Sequence, residues 1–182
     1  TSADAALQIT AALGPRAGAI TRVLVRNGPA EWSFLTTPIE RKRQPATTVE
    51  AQFSVPWVVA AALTDGKVGM AHFTPQALLR ADLRAMAARI ETVQDNALAN
   101  PSGGPGAAVV EVTLRGRQTL RRHVAAAKGD PGVPMSGAEV AKKFDDCLDY
   151  AGIEPARRAP LRALLDGVED LPDMARLTAA LA

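Results

Sequence analysis

Cysteine and histidine are nearly missing from this chain. The single cysteine, Cys147, excludes an internal disulfide and any cysteine-based zinc site, and makes a reducing cytoplasm the expected compartment. Two histidines, His72 and His123, are little material for a metal centre or a general base. Neither sign of charge is in excess. With 21 basic against 19 acidic residues the net charge is +2, so the pI near 9.0 reflects a small surplus and not a basic surface. Aromatic residues make up only 4%, and no basic stripe is interleaved with them, so the footprint of a nucleic-acid binder is missing. No apolar run approaches the roughly 20 residues that span a bilayer. The start, Thr1-Ser2-Ala3-Asp4, is not a signal peptide, because no basic segment leads into an apolar one. Opening on Thr1, the chain reads as a processed product or a piece of something longer.

What is present is enough for a core. Hydrophobic content of 47% beside 22% charge is that of a soluble globular protein, and 182 residues suffice for one domain. The chain is organised around one stretch. Val55 to Leu63 carries no charge and no polar side chain except the indole N–H of Trp57, and a helix apolar on every side is buried on every side. Ser54 is a good N-cap, Pro56 suits the first turn and Gly66 suits a left-handed C-cap, which predicts a central helix over Ser54–Asp65. The basic run Glu40-Arg41-Lys42-Arg43 and a polar loop precede it. By itself that run reads as a solvated loop. Feeding a helix N-terminus, it also suits an anion site, since free N–H groups and the macrodipole both favour negative charge there.

Other elements follow from periodicity and punctuation. Ala3–Leu13 reads as a helix stopped at Gly14-Pro15. Ile20–Arg26 reads as a strand bounded by Gly18 and Asn27-Gly28-Pro29, with Val23 and Val25 on one face and Ile20 on the other. Ala30–Leu35 suits a turn of helix with Trp32 and Leu35 inward. Thr74 and Pro75 open two short helices, Pro75–Leu79 and Asp82–Ala88, before a strand over Ile90–Val93. Asn100–Gly106 is a loop, and Ala107–Leu114 with Gln118–Ala126 forms a hairpin turning at Gly116. Ser136 and Glu139 make a capping box for a helix to about Tyr150, with Val140, Phe144, Cys147 and Leu148 inward. Pro155–Leu165 and Leu171–Leu181 complete a helical tail over 136–182. The reading is one α+β domain over 1–182: a small antiparallel sheet of three to four strands, packed with helices around the buried central helix.

Chemistry-bearing groups are sparse. His72 lacks a visible carboxylate partner, His123 falls on the solvent side of the hairpin, and Cys147 lies on a buried stripe. Asp145 and Asp149 share a helical face, as such pairs usually do on solvated helices. Gly103-Gly104-Pro105-Gly106 lacks the Lys-Ser/Thr of a phosphate loop. No self-sufficient active site is legible.

A resemblance adds to this. Glu40 to Pro45, then Val49-Glu50-Ala51-Gln52-Phe53-Ser54-Val55-Pro56-Trp57, then Ala60 to Gly69 resemble the C-terminal domain of the MmgE/PrpD family. Phe73-Thr74, Val110 to Leu114 with Arg117, and Asp130-Pro131, Pro134-Met135-Ser136, Glu139-Val140, Lys143 and Phe144 match further segments in order. These are 2-methylcitrate dehydratases of propionate metabolism, with cis-aconitate decarboxylase and iminodisuccinate epimerase as relatives. The resemblance implies a lyase or isomerase acting on a small di- or tricarboxylate by abstracting a proton α to a carboxylate. It implies an all-helical domain upstream carrying the main acid/base residues, including a histidine just before the helix that begins near Ser2. No catalytic residue is then expected in this chain, and no metal or organic cofactor. Substrate-binding residues are expected at Arg41, Arg43, Phe53, Ser54 and Trp57. Family members usually have tyrosine at the Trp57 position, and an indole can donate a hydrogen bond but is no phenolic acid. Expected partners are the polycarboxylate, the helical domain and a second copy in a homodimer, with neither nucleic acid nor membrane. The alternative class is a non-catalytic module that binds an acidic metabolite or a protein.

Overall fold

The structure is a computed structural model that describes residues 1–14, 19–102 and 105–181. The expected boundaries at Pro15 and Gly18 and the Gly103-Gly104 part of the loop lie outside the described residues. Contacts divide the chain into two compact units, Thr1–Pro134 and Met135–Ala182.

The first unit opens with α1 (Ser2–Leu13) and β1 (Ile20–Asn27), then one turn of helix α2 (Pro29–Glu31) that runs into a π-helical turn over Trp32–Thr36. Helices α3 (Ile39–Arg43), α4 (Thr48–Gln52), α5 (Val55–Asp65), α6 (Pro75–Leu78) and α7 (Ala81–Ala87) follow, and then β2 (Ile90–Gln94), β3 (Ala108–Leu114) and β4 (Thr119–Val124). The basic run expected as a loop is therefore the short helix α3, started after Pro38 and ended at Gln44.

The central helix is as read. Ser54 Oγ accepts from the Trp57 N–H, and Gly66 closes the helix in the left-handed region at φ 67°, where a side chain would be strained. Its apolar circumference is explained by two cores, one on each side. Val55, Val59, Ala60, Ala62 and Leu63 pack with Ala5, Ala6, Ile9 and Leu13 of α1 and with Val23, Val25, Ile90, Val110 and Val112 of the sheet. Trp57 and Ala61 pack the other way, against Ala51, Leu78 and Leu83. Ala60 and Ala62, in one core with Ala5 and Ala6, let the two helices come close, and Thr10 of α1 donates its hydroxyl to the Ala62 carbonyl at 2.9 Å.

The α+β class holds, and the sheet has four strands in the order β2-β1-β3-β4. It is mixed and not wholly antiparallel: β3 pairs antiparallel with β1 and β4, whereas β2 joins β1 in parallel, Val23 opposite Ile90. The long β1–β2 connection, which contains the central helix, makes that parallel pairing possible. Ile20 was expected on the face opposite Val23 and Val25. A bulge between Ile20 and Arg22 shifts the alternation by one, and all three side chains enter the same core. The outer face is polar, with Arg22 on Glu91 and both Arg26 and Arg121 on Glu111.

In the second unit α8 (Gly137–Tyr150), α9 (Pro155–Asp166) and α10 (Ala175–Leu181) enclose Leu148, Leu161 and Leu177. The capping box is formed, with the Ser136 N–H donating to Glu139 at 2.8 Å. Val140 does not point inward: it is 53% exposed, and Phe144 of the same helix packs against the leucines instead.

Candidate functional site

The start of α5 opens onto a cavity of about 220 Å³, lined by Thr1, Ser2, Ala3, Asn27, Glu31, Leu35, Gln52, Ser54, Val55, Val58 and Pro105. The start of α1 shares it. Few donors at the α5 end are free. Ser54 N–H donates to the Ala51 carbonyl, Pro56 has none, and Trp57 N–H is capped by Ser54, which leaves Val55 N–H. The α1 end is more open: it has no side-chain cap, and its first helical hydrogen bond is Ala5 N–H to the Thr1 carbonyl. Ser2 and Ala3, in the first turn of this 12-residue helix, line the cavity at its positive end, and their amides have no acceptor among the described residues.

Two side chains complete the polar lining. Asn27, 1% exposed, donates through Nδ2 to Ser2 Oγ at 2.9 Å, while its Oδ1 has no partner among the described residues. A buried amide oxygen without a partner costs stability, and this makes Asn27 a group with capacity left for a ligand. Glu31 is the titratable side chain in the lining; its Oε1 accepts from Gly106 N–H at 2.5 Å. A Cβ at Gly106 would meet the Leu98 carbonyl at 2.4 Å, so only glycine lets the loop reach that carboxylate.

The sequence-predicted residues are scattered. Ser54 lines the cavity, but its hydroxyl is spent twice, donating to the Lys42 carbonyl at 2.5 Å and capping Trp57. Phe53 is exposed and packs edge-to-face on Phe34, ring centres 5.3 Å apart. Trp57 is wholly buried, its indole N–H on the His72 carbonyl at 3.0 Å, and it does not line the cavity. Arg41 pairs with Glu50 at the surface. Arg43 grips the Ile90 carbonyl through Nε and Nη2, at 3.0 and 2.6 Å, and lines a different cavity beside β2. Lys42 is the basic residue closest in contact to the start of α5, donating to the carbonyls of Phe34 and Phe53 at 2.7 and 2.6 Å; burial lowers the pKa of its ammonium.

The C-terminal end of α5 holds a cluster the sequence did not reveal. His72, 2% exposed, meets Asp65 at 2.9 Å through Nε2, and its Nδ1 accepts from Gly69 N–H at 3.0 Å. Arg80 clasps Asp65 with two nitrogens, at 2.6 and 2.9 Å, and also pairs with Asp82. The Arg80 guanidinium holds both carboxyls below their usual range, and its own pKa is pushed up in return. His72 thus has its carboxylate after all, but both ring nitrogens are occupied. Asp145 and Asp149 are each taken by an arginine, Arg162 and Arg158, and His123 is exposed as read. Among the described residues no group of three His, Cys, Asp or Glu is placed to hold a metal, and no helix is long and apolar enough to cross a membrane.

Residues 1–166 match the model of the MmgE/PrpD C-terminal domain. The chain belongs to the MmgE/PrpD family. In this MmgE/PrpD domain the matched span takes in all of the first unit, with both helix starts at the cavity, and α8 and α9 of the second. A search of curated proteins returned no match. Ser2, Asn27 and Glu31 were missed in the sequence because each looked like punctuation: a helix start, a strand end before Gly28-Pro29, and a polar turn.

Proposed function

We propose that this domain supplies one wall of the active site of an enzyme that acts on a small di- or tricarboxylate. The reaction abstracts a proton α to a carboxylate, as in a dehydratase, decarboxylase or epimerase. The observation that carries this reading is the cavity where the open start of α1 meets the start of α5, beside the unpartnered Asn27 oxygen. A carboxylate there accepts from the Ser2, Ala3 and Val55 amides, and a substrate hydroxyl donates to Asn27 Oδ1. Helix N-termini suit the ground-state carboxylate, and they suit still better the charge that builds on its oxygens when the α-proton leaves. The base itself comes from the upstream helical domain, whose histidine the resemblance puts just before α1 and thus at the Thr1 rim of the cavity. The exposed Phe34–Phe53 pair, next in sequence to Ser54, forms part of the face that receives that domain. A homodimer and a cytoplasmic location fit the same reading.

The test is proton exchange in D2O, followed by NMR, with 2-methylcitrate, cis-aconitate and related acids. The protein joined to its helical domain should exchange or convert one of them, and the 182-residue chain alone should do neither. Turnover by the chain alone overturns the division of labour. Binding of these acids without any exchange by the joined protein would favour the non-catalytic module.

A further inference from the structure

The cavity beside β2, about 400 Å³, is lined by Trp32, Thr36, Thr37, Ile39, Arg43, Glu91, Thr92 and Val93, and shares no residue with the cavity at the helix starts. Among the N–H groups of the lining residues that lack an acceptor among the described residues, three matter here. Trp32 Nε1 is buried without a partner. Arg43 spends Nε and Nη2 on the Ile90 carbonyl, which leaves Nη1. Thr92 follows from the register. Val23 N–H bonds the Arg89 carbonyl and Asp95 N–H the Asn27 carbonyl, so the odd residues of β2 face β1 and Thr92 turns its main chain to the open edge. Both oxygens of Glu91, the carboxylate of the lining, are held by Arg22, at 2.9 and 2.5 Å. The Thr36 and Thr37 hydroxyls are spent on the Trp32 carbonyl. The remaining wall is the Trp32 ring, Ile39 and Val93.

We infer that this cavity binds a small monocarboxylate with an apolar body, its carboxylate on Trp32 Nε1, Arg43 Nη1 and Thr92 N–H. With Glu91 neutralised by Arg22, the Arg43 guanidinium and the unpartnered Trp32 indole N–H call for an anion. The wall of Trp32, Ile39 and Val93 suits an apolar body and offers a second carboxylate no cationic partner. The size falls within the range of small-molecule pockets. The site is separate from the polycarboxylate cavity and stands or falls independently of it.

The experiment is an amide and indole NMR titration of the whole chain with benzoate, with benzamide as the uncharged control of equal shape. The chain has two indole signals, and that of Trp57, buried on the His72 carbonyl, serves as internal reference. Benzoate should move the Trp32 indole and Thr92 amide signals saturably, leave Trp57 unmoved and bind at least about tenfold more tightly than benzamide. Trp32→Phe, which keeps the ring and removes the N–H, should weaken benzoate about three- to tenfold. Thr92→Pro should do the same, since proline is tolerated where a strand N–H faces the edge, and an unshifted Trp57 signal certifies its fold. No saturable shift of Trp32, equal affinity for benzamide, or unchanged affinity in Trp32→Phe would each overturn the assignment.

Discussion

The two ends of α5 are built from similar materials and used in opposite ways. At the C-terminal end Asp65, His72, Arg80 and Asp82 satisfy one another at 2.6 to 3.1 Å, with the His72 carbonyl holding Trp57. At the N-terminal end the amides of Ser2, Ala3 and Val55 and the oxygen of Asn27 line a cavity with capacity unspent. Titratable side chains gathered together are not in themselves a site. The cluster at the C-terminal end is a clasp, and the place suited to a ligand is the one where polar groups still lack partners.

Substitutions break this contrast in order of size. Trp57→Ala removes a fully buried side chain and strands the His72 carbonyl, and should cost about 3–5 kcal/mol in denaturant unfolding. Asp65→Asn loses the charged clasp and should cost about 1–2 kcal/mol at neutral pH, allowing for its partial exposure. That cost depends on pH with a definite sign. The carboxyl is held low in the folded state by Arg80, then by His72, so the folded protein binds fewer protons than the unfolded one in acid. The stabilisation is full above the ordinary aspartyl value of about 3.9 and is lost as the pH falls through the lowered one. The gap between wild type and Asp65→Asn should therefore shrink steadily below about pH 4, as unfolding curves at pH 7 and in acid will check.

The other end should behave in reverse. Asn27→Leu removes an unpartnered oxygen along with one hydrogen bond to Ser2, so stability should change by less than about 1 kcal/mol. Substrate binding by the protein joined to its helical domain should instead weaken about tenfold, read by isothermal titration. Arg41→Ala should be the quietest of all, within about 1 kcal/mol in stability and without effect on binding, because its partner Glu50 is a surface one.

Much of this frame could be read from residues alone. Ser54, Gly66, Thr74, Gly116 and the Ser136–Glu139 box mark their elements by local chemistry, and an all-apolar Val55–Leu63 announces burial on two sides. The bulge that turns Ile20 inward and the parallel partner of β1 depend on distant pairings that no window of sequence contains. The candidate cavity was not legible for the same reason. Arg41 and Arg43 were expected as substrate ligands because charge is visible in a sequence, whereas the partners that the fold gives them are not. Glu50 and the Ile90 carbonyl, which claim them, become neighbours only in the fold. His72 seemed to lack a carboxylate although Asp65 stands seven residues earlier, across the turn closed by Gly66.

The claim that unspent polar groups mark the site is tested most directly by an amide NMR titration of the 182-residue chain with tricarballylate, an unreactive tricarboxylate. The Ser2, Ala3 and Val55 amides and the Asn27 side-chain amide should shift together and saturate, while those of Asp65, His72 and Arg80 stay in place. Shifts centred on the Arg41–Arg43 helix or on the Asp65–Arg80 clasp, with Val55 and Asn27 unmoved, would contradict it.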